Sequence, residues 1–195
     1  MGRSSAEQAQ QNREKIVGIA SALFRAHGVE AVSVADIMAG AGMTVGGFYK
    51  HFASKDALVE EATARAFDEA AALWQQFFAP ADTPDHGSRA ALVAHYLRPE
   101  PQNRCPIIAF APYSAEQEPQ AAAKEAYDRG ASALLGVFDT ENRPANGQPQ
   151  ADAADPDSLI LFAAMVGARI LGEAAGDSAW VEALRNAVIA HAAGK

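Results

Sequence analysis

The chain has 195 residues, and its apolar content of 49% is enough for one large core or two small ones. Its 16 basic and 24 acidic residues give a net charge of -8, and its single cysteine, Cys105, excludes an intrachain disulfide. The sequence has no apolar leader and no uninterrupted apolar stretch of membrane-spanning length, so we expect a globular cytoplasmic protein without a membrane partner.

The first part of the chain contains short helical patterns separated by glycine-containing turns. Apolar residues recur at helical spacing from Ile16 to Phe24, and Gly28 follows where a C-terminal cap is expected. Ser33 is the candidate N-cap of a second helix, which Gly42 would end by adopting a positive φ. A helix, a glycine-containing turn and a further helix are typical of the helix-turn-helix, which presents its second helix to the DNA major groove.

Thr44 is the candidate N-cap of that second helix, and Phe48 and Phe52 fall on its inner side. The outward residues are candidates for contacts with bases and phosphates: Val45, Gly47, Tyr49, Lys50 and His51. Ser54 is the candidate cap of a longer helix, and Lys55 in its first turn opposes the helix dipole, which favours a nearby anion. Two adjacent glycines predict a helix that is marginally stable without DNA.

The charges are divided unevenly along the chain. Residues 1–55 carry six Lys or Arg and four acidic residues, a net charge of +2, whereas the remainder carries 10 basic and 20 acidic residues, a net charge of -10. This distribution is typical of a DNA-facing domain joined to an acidic body that DNA repels. The modest positive charge predicts moderate affinity, because nonspecific attraction scales with the phosphates neutralised.

After residue 54 the sequence predicts helices alone, which gives an all-α fold class. The predicted helices span roughly residues 55–78, 88–97, 107–116, 118–139, 157–175 and 178–193. Prolines interrupt the helical pattern between them, and residues 80–87 and 140–156 are predicted loops. We expect a helix-turn-helix domain of three helices over residues 1–54 and a second, helical domain over residues 55–195.

The segment from Arg13 to Leu58 resembles the DNA-binding domain of the TetR family of bacterial transcriptional regulators. The resemblance rests on the spacing of Ile16, Ala20, Leu23, Phe24, Gly28, Val34, Ile37, Ala41, Gly42, Thr44, Gly46, Tyr49, His51, Phe52, Lys55 and Leu58. It implies that the partner is double-stranded operator DNA. The implied phosphate contacts are Thr44, Tyr49, His51 and Lys55, and the implied base contacts are Val45, Gly47 and Lys50.

Two departures from the family pattern bear on how bases are recognised. Met38 stands where a small residue is more usual, and Val45 with Gly47 offers almost no hydrogen-bonding capacity. We therefore expect recognition to depend on contact with thymine methyl groups, on Lys50 and on DNA shape.

The last two predicted helices carry more apolar surface than a small domain normally exposes. The apolar stripe comprises Leu159, Phe162, Val166, Ile170, Trp180, Leu184 and Val188. It predicts a homodimer interface, with the alternative that one face fills the core of the protomer. The resemblance implies the same dimer, a four-helix bundle about a two-fold axis, which suits a palindromic site.

Aromatic and polarizable side chains concentrate in the middle helices and predict a site for a small, largely apolar effector. The candidate lining residues are Trp74, Phe78, Tyr96, Phe110, Tyr113, Tyr127 and Met165. The tyrosines are favoured because a buried phenol hydroxyl needs a partner that a ligand can supply, although core packing alone also explains each residue. Residues 55–195 are thus the predicted effector-binding and dimerisation domain.

The predicted function is a ligand-responsive repressor that its effector releases from the operator. The alternative is a redox or electrophile sensor acting through Cys105, since the charge of Arg104 beside it would favour a thiolate. A small buried hydrophobe is the simpler interpretation of that cysteine. An enzyme is disfavoured, because the five histidines are scattered and neither HExxH nor CxxC spacing occurs, and no metal or cofactor is predicted.

Overall fold

The computed structural model describes residues 2–78, 89–98, 104–115, 121–139, 154–176 and 178–194. Within these ranges the backbone forms α-helices and one 3-10 helix, Val45–Lys50, and no strand, which confirms the predicted all-α class. The α-helices are α1 (Gly2–His27), α2 (Val34–Gly40), α3 (Lys55–Phe78), α4 (Arg89–Tyr96), α5 (Pro106–Ala115), α6 (Ala121–Phe138), α7 (Pro156–Ala175) and α8 (Ala179–Ala192).

The helix boundaries follow the proline and capping pattern of the sequence closely. Helices α3, α4, α5, α7 and α8 each begin and end within about one residue of the predicted positions, as proline and cap signals allow. Helix α6 spans Ala121–Phe138, and its predicted start at residue 118 lies outside the described residues. The predicted loop over residues 80–87 lies outside the described residues, as does nearly all of the one over 140–156.

Polar caps and left-handed glycines delimit the helices at the N-terminus of the chain. The Ser33 hydroxyl accepts a 3.2 Å hydrogen bond from the Asp36 amide, and the Asp36 carboxylate accepts a 2.9 Å bond from the Ser33 amide. This reciprocal pair is a capping box, which satisfies amides that have no partner within the helix. Gly28 and Gly42 have φ of 84° and 70°, and Ser54 accepts a bond from the third amide after it, so the predicted caps are confirmed.

The chain packs as two compact units. The first takes its described residues from Met1–Asp68 and Pro101–Gly130, and the second from Glu69–Glu100 and Ala131–Lys195. Helices α3 and α6 therefore each contribute residues to both units. The domain boundary expected at residue 54 falls inside the first unit and stays a prediction about independent folding.

One hydrophobic core fills the first unit. It includes residues of α1, α2, the 3-10 helix and α3, together with Ala109, Phe110 and Tyr113 of α5. Phe24 meets Phe110 edge to face, with ring centroids 6.3 Å apart. Tyr113 donates a 2.6 Å hydrogen bond to Oδ1 of Asp56 in the first turn of α3. Side chains from the second half of the chain thus complete the core of the helix-turn-helix.

The second unit contains an aromatic cluster and a buried arginine. Trp74 contacts the rings of Tyr96, Phe138 and Phe162, with centroids between 5.7 and 6.4 Å away. Arg169 of α7 donates to the carbonyl oxygens of Tyr96, at 2.7 Å, and of Arg98, at the C-terminal end of α4. Carbonyls at a helix end lack partners within the helix, so a buried guanidinium is well placed there.

Helix α7 is long and apolar enough to cross a membrane by length and composition alone. This criterion concerns overall composition, and the apolar run of α7 is interrupted at Arg169, so α7 is not an uninterrupted apolar stretch of membrane-spanning length. The core helix of a soluble protein meets the same criterion, and α7 also contains Arg169 in its ion pair with Glu173, with Nε and Oε1 2.8 Å apart. Its apolar character is accounted for by packing within the unit and by an exposed face described below.

Candidate nucleic-acid interface

The segment Val45–Lys50, here termed the recognition helix, has 3-10 rather than α geometry. The amide of Gly47 donates to the carbonyl of Thr44, and the amide of His51 to that of Phe48, both at 2.9 Å. The 3-10 helix has poorer hydrogen-bond geometry than the α-helix, and two adjacent glycines lower helix propensity further. The free protein therefore holds this segment in a short, weakly stabilised helix.

Two phenylalanines attach the recognition helix to the first unit. Phe48 and Phe52 are buried, as predicted, and their rings stack with centroids 5.5 Å apart. A Cβ added to Gly47 would lie 3.6 Å from Cε of Met38, which is fully buried. Met38 and Gly47, two of the three residues that depart from the family pattern, are therefore neighbours.

The outward residues of this segment are accessible to a partner. Tyr49 is 72% exposed and Val45 47% exposed. Thr44 and Lys50 are also exposed, whereas His51 and Gly47 are half-buried. Thr44 occupies the N-cap position as predicted but makes no side-chain capping bond, which leaves its hydroxyl available for a phosphate oxygen.

Lys55 has a protein partner that its sequence position did not indicate. Its Nζ donates a 2.7 Å hydrogen bond to the carbonyl of Val29 and lies 6.0 Å from the ring centroid of Phe24. An ammonium group has three donors, so this bond leaves two of them for other acceptors. The phosphate contact of Lys55 stays a prediction, and the side chain also ties α3 to the turn after α1.

The structure places the candidate effector residues in both units. Phe110, Tyr113 and Tyr127 belong to the first, and Trp74, Phe78, Tyr96 and Met165 belong to the second. The hydroxyls of Tyr113 and Tyr127 donate to Asp56 and to the carbonyl of Ile107, respectively. Burial, followed by the charge of nearby Cys105, raises the pKa of Tyr127. These two phenols therefore do not need a ligand to satisfy their hydroxyls.

Within the second unit, Trp74 and Tyr96 are buried in edge-to-face contact, whereas Phe78 is half-buried. Met165 is fully buried. Of the candidate effector residues, the structure thus brings Trp74 and Tyr96 together. Phe138 and Phe162 form one aromatic cluster with these two residues. The sequence predicts Phe162 as part of the dimer interface and predicts no site role for Phe138.

The apolar stripe of α7 and α8 is partly exposed and partly internal. Leu159, Ile170 and Trp180 are exposed, whereas Phe162, Val166 and Leu184 are half-buried and Val188 is buried. Beside this stripe, α7 also exposes Ile160, 64% exposed, and Leu171. With Ala163 and Gly167 between them, these residues recur every three or four positions, a helical period visible in the sequence.

Gly167 lies in the middle of this exposed stripe. A Cβ added there would meet no atom within 4 Å, so packing within the protomer does not require a glycine. Small residues on an exposed helix face allow a second helix to approach closely.

Two other residues belong to the site although sequence reasoning did not assign them. Arg13 of α1 contacts the end of the recognition helix, and Asp56 accepts the bond from Tyr113. Their partners lie 38 and 57 positions away along the chain, beyond the reach of helical periodicity. Cys105 is a buried cysteine directly before α5. Among the described residues, no group of three His, Cys, Asp or Glu side chains could hold a metal ion.

Sequence comparison gives matches at the N-terminal part of the chain. A family model described as bacterial regulatory proteins of the tetR family matches residues 16–62. The chain is 41% identical over 56 residues to the transcriptional repressor KstR2 of Mycobacterium tuberculosis, covering 29% of this chain and 28% of that protein. It is 38% identical over 61 residues to the transcriptional regulator AcrR of Shigella flexneri, covering 31% and 28%. The matched segments span less than a third of these relatives.

Structural similarity extends over almost the whole chain. The reduced form of Escherichia coli NemR superposes with a TM-score of 0.68 at 16% identity, covering 91% of this chain and 95% of that one. A TetR transcriptional regulator from Chloroflexus aurantiacus gives a TM-score of 0.65 at 24% identity, covering 95% and 96%. At these identities the similarity shows a shared fold.

Proposed function

We propose that the chain is a member of the tetR family of bacterial regulatory proteins, whose model matches residues 16–62, and that it is a cytoplasmic transcriptional repressor that binds double-stranded operator DNA. The observation that carries the proposal is the recognition helix, buried on one side by Phe48 and Phe52 and exposed at Thr44, Val45, Tyr49 and Lys50. Residues matched by the family model surround it on both sides, and the charge of residues 1–55 is positive. Exposed hydroxyl, phenol and ammonium groups are suited to phosphates and base edges.

A binding titration over a salt series tests this proposal. The probe is the DNA immediately upstream of the protein's own gene, with unrelated DNA of equal length as the control. We expect tighter binding to the upstream DNA and an affinity that falls with salt, because each neutralised phosphate releases counterions. Equal affinity for both DNAs would contradict a sequence-specific repressor.

Two lysine variants separate phosphate contact from base contact. Lys55→Ala should weaken binding to both DNAs alike and reduce the salt slope by about one contact. Lys50→Ala should also reduce the preference for the upstream DNA. Because Lys55 also donates a hydrogen bond to the Val29 carbonyl, the thermal unfolding of the Lys55→Ala variant must be measured together with its DNA affinity. Equal loss of preference in both variants would contradict the assignment.

We propose that the operator is bound by a homodimer formed through α7 and α8. The exposed stripe of Leu159, Ile160, Ile170, Leu171 and Trp180 supports this interface, because exposed apolar patches mark association surfaces. A two-fold dimer also presents two recognition helices to a palindromic site. Sedimentation tests the proposal, and a monomer at micromolar concentration would contradict it.

We propose further that a small apolar effector releases the DNA. The aromatic cluster of Trp74, Tyr96, Phe138 and Phe162 supports an effector of this chemistry, since such rings line most apolar ligand sites. Candidate compounds can be titrated by Trp74 fluorescence, with a Trp180→Phe variant removing the second emitter. Coupling is reciprocal, so an effector that weakens operator binding must bind the DNA complex more weakly by the same factor. Equal effector affinity with and without operator would exclude this switch.

Cys105 is the second candidate switch. It lies directly before α5, whose residues Phe110 and Tyr113 belong to the core of the helix-turn-helix. The similarity in fold to NemR, which was solved in a form called reduced, adds limited support. The burial of Cys105 opposes rapid oxidation, since reactive thiols are partly exposed. A mild oxidant should release DNA from the wild type and not from Cys105→Ser if this switch operates; equal retention in both would exclude it.

A further inference from the structure

The C-terminal end of the recognition helix is held by a side chain from α1, that of Arg13. One guanidinium nitrogen donates to the carbonyl of His51, the residue that ends the helix, and another pairs with the carboxylate of Glu61 in α3. The guanidinium carbon lies 4.2 Å from the ring centroid of Phe52. A single arginine therefore connects α1, the end of the recognition helix and α3.

We propose that Arg13 is a positioning residue for DNA binding, one that fixes the end of the recognition helix without contacting DNA. The inference rests on the proposed function. Carbonyls at a helix end have no partner within the helix, and the guanidinium supplies one at His51. Tyr49 and Lys50 immediately precede that carbonyl, so an end that is held fixed also restricts the backbone that carries them.

The need for such a contact follows from the weakness of the helix itself. Its six residues include Gly46 and Gly47, and their conformation is not enforced by a positive φ or by lack of space. Helix propensity therefore contributes little to its order, and the order comes from buried Phe48 and Phe52 and from Arg13. Without Arg13, binding DNA would have to restrict this backbone at a cost in affinity.

Arginine is suited to this position and lysine is not. The planar guanidinium presents several donors at fixed angles, so two of its nitrogens satisfy the His51 carbonyl and the Glu61 carboxylate while its plane covers Phe52. An ammonium group is a compact point charge on a flexible stem. Arg13→Lys therefore keeps the charge and loses the geometry.

The charge of Arg13 is compensated on the protein. Its side chain and that of Glu61 are 33% and 38% exposed, and they form an ion pair. The pair contributes little net charge to the attraction of phosphates, in contrast to Lys50 or Lys55. Removal of Arg13 alone would leave the Glu61 carboxylate uncompensated. The double variant Arg13→Gln with Glu61→Gln keeps the net charge, so it should lower DNA affinity without reducing its salt dependence, whereas loss of a phosphate contact reduces both.

The test compares Arg13→Gln and Arg13→Lys with the control Lys15→Gln, which removes one charge from an exposed site on the same helix. Affinity for the upstream DNA is measured over a salt series. We expect Arg13→Gln to bind about tenfold more weakly than the control, the loss typical of a charge-assisted hydrogen bond. Arg13→Lys should not restore affinity, and the salt slope of the double variant Arg13→Gln with Glu61→Gln should equal that of the wild type.

Hydrogen exchange at the amides of His51 and Phe52 gives an independent measurement, which we expect to become faster in both Arg13 variants. Glu61→Gln keeps the bond to His51 and should retain most of the affinity, which keeps the inference testable if the Arg13 variants unfold. Affinity of Arg13→Gln equal to that of Lys15→Gln, or a salt slope of the double variant lower by about one contact, would overturn the inference. Unchanged exchange would also overturn it. Failure of the wild type to prefer upstream DNA would instead count against the proposed function.

Discussion

The capping box of α2 allows a prediction about the pKa of one residue, Asp36. The hydrogen bond from the Ser33 hydroxyl, followed by that from the Ser33 amide, holds the pKa of Asp36 below its ordinary value. We expect Ser33→Ala to raise this pKa, because the first of these bonds stabilises the charged carboxylate. The measurement is an NMR titration of the Asp36 carboxyl carbon, and an unchanged pKa would show that the hydroxyl is not the cause.

The hydrogen bonds between Ser33 and Asp36 also make the stability of the protein depend on pH. The folded pKa of Asp36 lies below its unfolded value. Its contribution to stability is therefore present above the unfolded pKa and is lost as the pH falls through the folded pKa. Ser33→Ala should reduce this acid dependence.

Gly42 and Gly47 lie close together in sequence, but only Gly42 has a backbone conformation that favours glycine. Gly42 has a φ of 70°, whereas Gly47 has no positive φ and has room for a Cβ at ordinary contact distance from Met38. We expect Gly42→Ala to lower the free energy of unfolding by about 1 kcal/mol. Gly47→Ala should leave it unchanged or raise it by about 0.5 kcal/mol, because the unfolded chain loses freedom. Urea denaturation measures both, and equal destabilisation would contradict the assigned role of φ.

Residue-level predictions from sequence succeeded where the determinants are local. The spacing of Phe48 and Phe52 identified the inner side of the recognition helix, and Ser33 and Gly42 identified the ends of α2. The same reasoning could not find the Val29 carbonyl that Lys55 binds, because a backbone acceptor 26 positions away has no signature in the sequence. For the same reason the sequence identified Arg13 only as one of the basic residues of the N-terminal part, and not as a partner of His51 and Glu61.

At the level of elements, the exposed face of α7 predicts how the proposed dimer would respond to mutation. Ile160 is exposed in the protomer, so Ile160→Glu should barely change protomer folding. In a dimer the same glutamate would be a buried unpaired charge, which we expect to cost about 3 kcal/mol or more and to yield monomers. Asn186→Glu adds the same charge at an exposed polar position of α8 and is the control.

Sedimentation and operator affinity measure the effect of these variants. Ile160→Glu should lower both the dimer fraction and the affinity, because a monomer binds one half-site. If Ile160→Glu remains dimeric, the interface lies elsewhere.

Helix positions were predictable because prolines and caps act locally, yet the geometry of the recognition helix was not. The 3-10 helix differs from the α-helix in hydrogen-bond spacing and in residues per turn, and a six-residue segment is too short for its apolar spacing to show which of the two it forms. The division of the α7 and α8 stripe between core and surface was likewise not predictable. Phe162 and Leu159 are both large apolar residues, and Phe162 is half-buried because it packs against the rings of Trp74 and Phe138.

At the level of the whole molecule, the fold class followed from the absence of strand-like patterns, whereas the division into two units did not follow from the sequence. The core of the first unit joins residues before Asp68 to Ala109, Phe110, Tyr113 and Ala123. Contacts between such distant segments leave no periodic signal. The expected boundary at residue 54 came from the extent of a motif, which does not report where a core closes.

A fragment tests that boundary directly. A fragment of residues 1–54 lacks α3 and the α5 residues that cover Phe24, so we expect weak helicity and no cooperative thermal transition. The full chain is the control, measured by far-UV circular dichroism at the same concentration. A cooperative transition in the fragment would establish the helix-turn-helix as an independent folding domain.

Because the first unit is discontinuous in sequence, it also constrains the order in which the chain can fold during synthesis. The ribosome makes residues 1–68 first, but Phe110, Tyr113 and Ala123, which close their core, emerge only after all of α4 has been made. Domains otherwise begin to fold from the N-terminus as they emerge, at roughly 5–20 residues per second. For several seconds the nascent chain therefore carries the helix-turn-helix segment with an open apolar surface, and we expect its core to close only once the chain has been translated beyond α5.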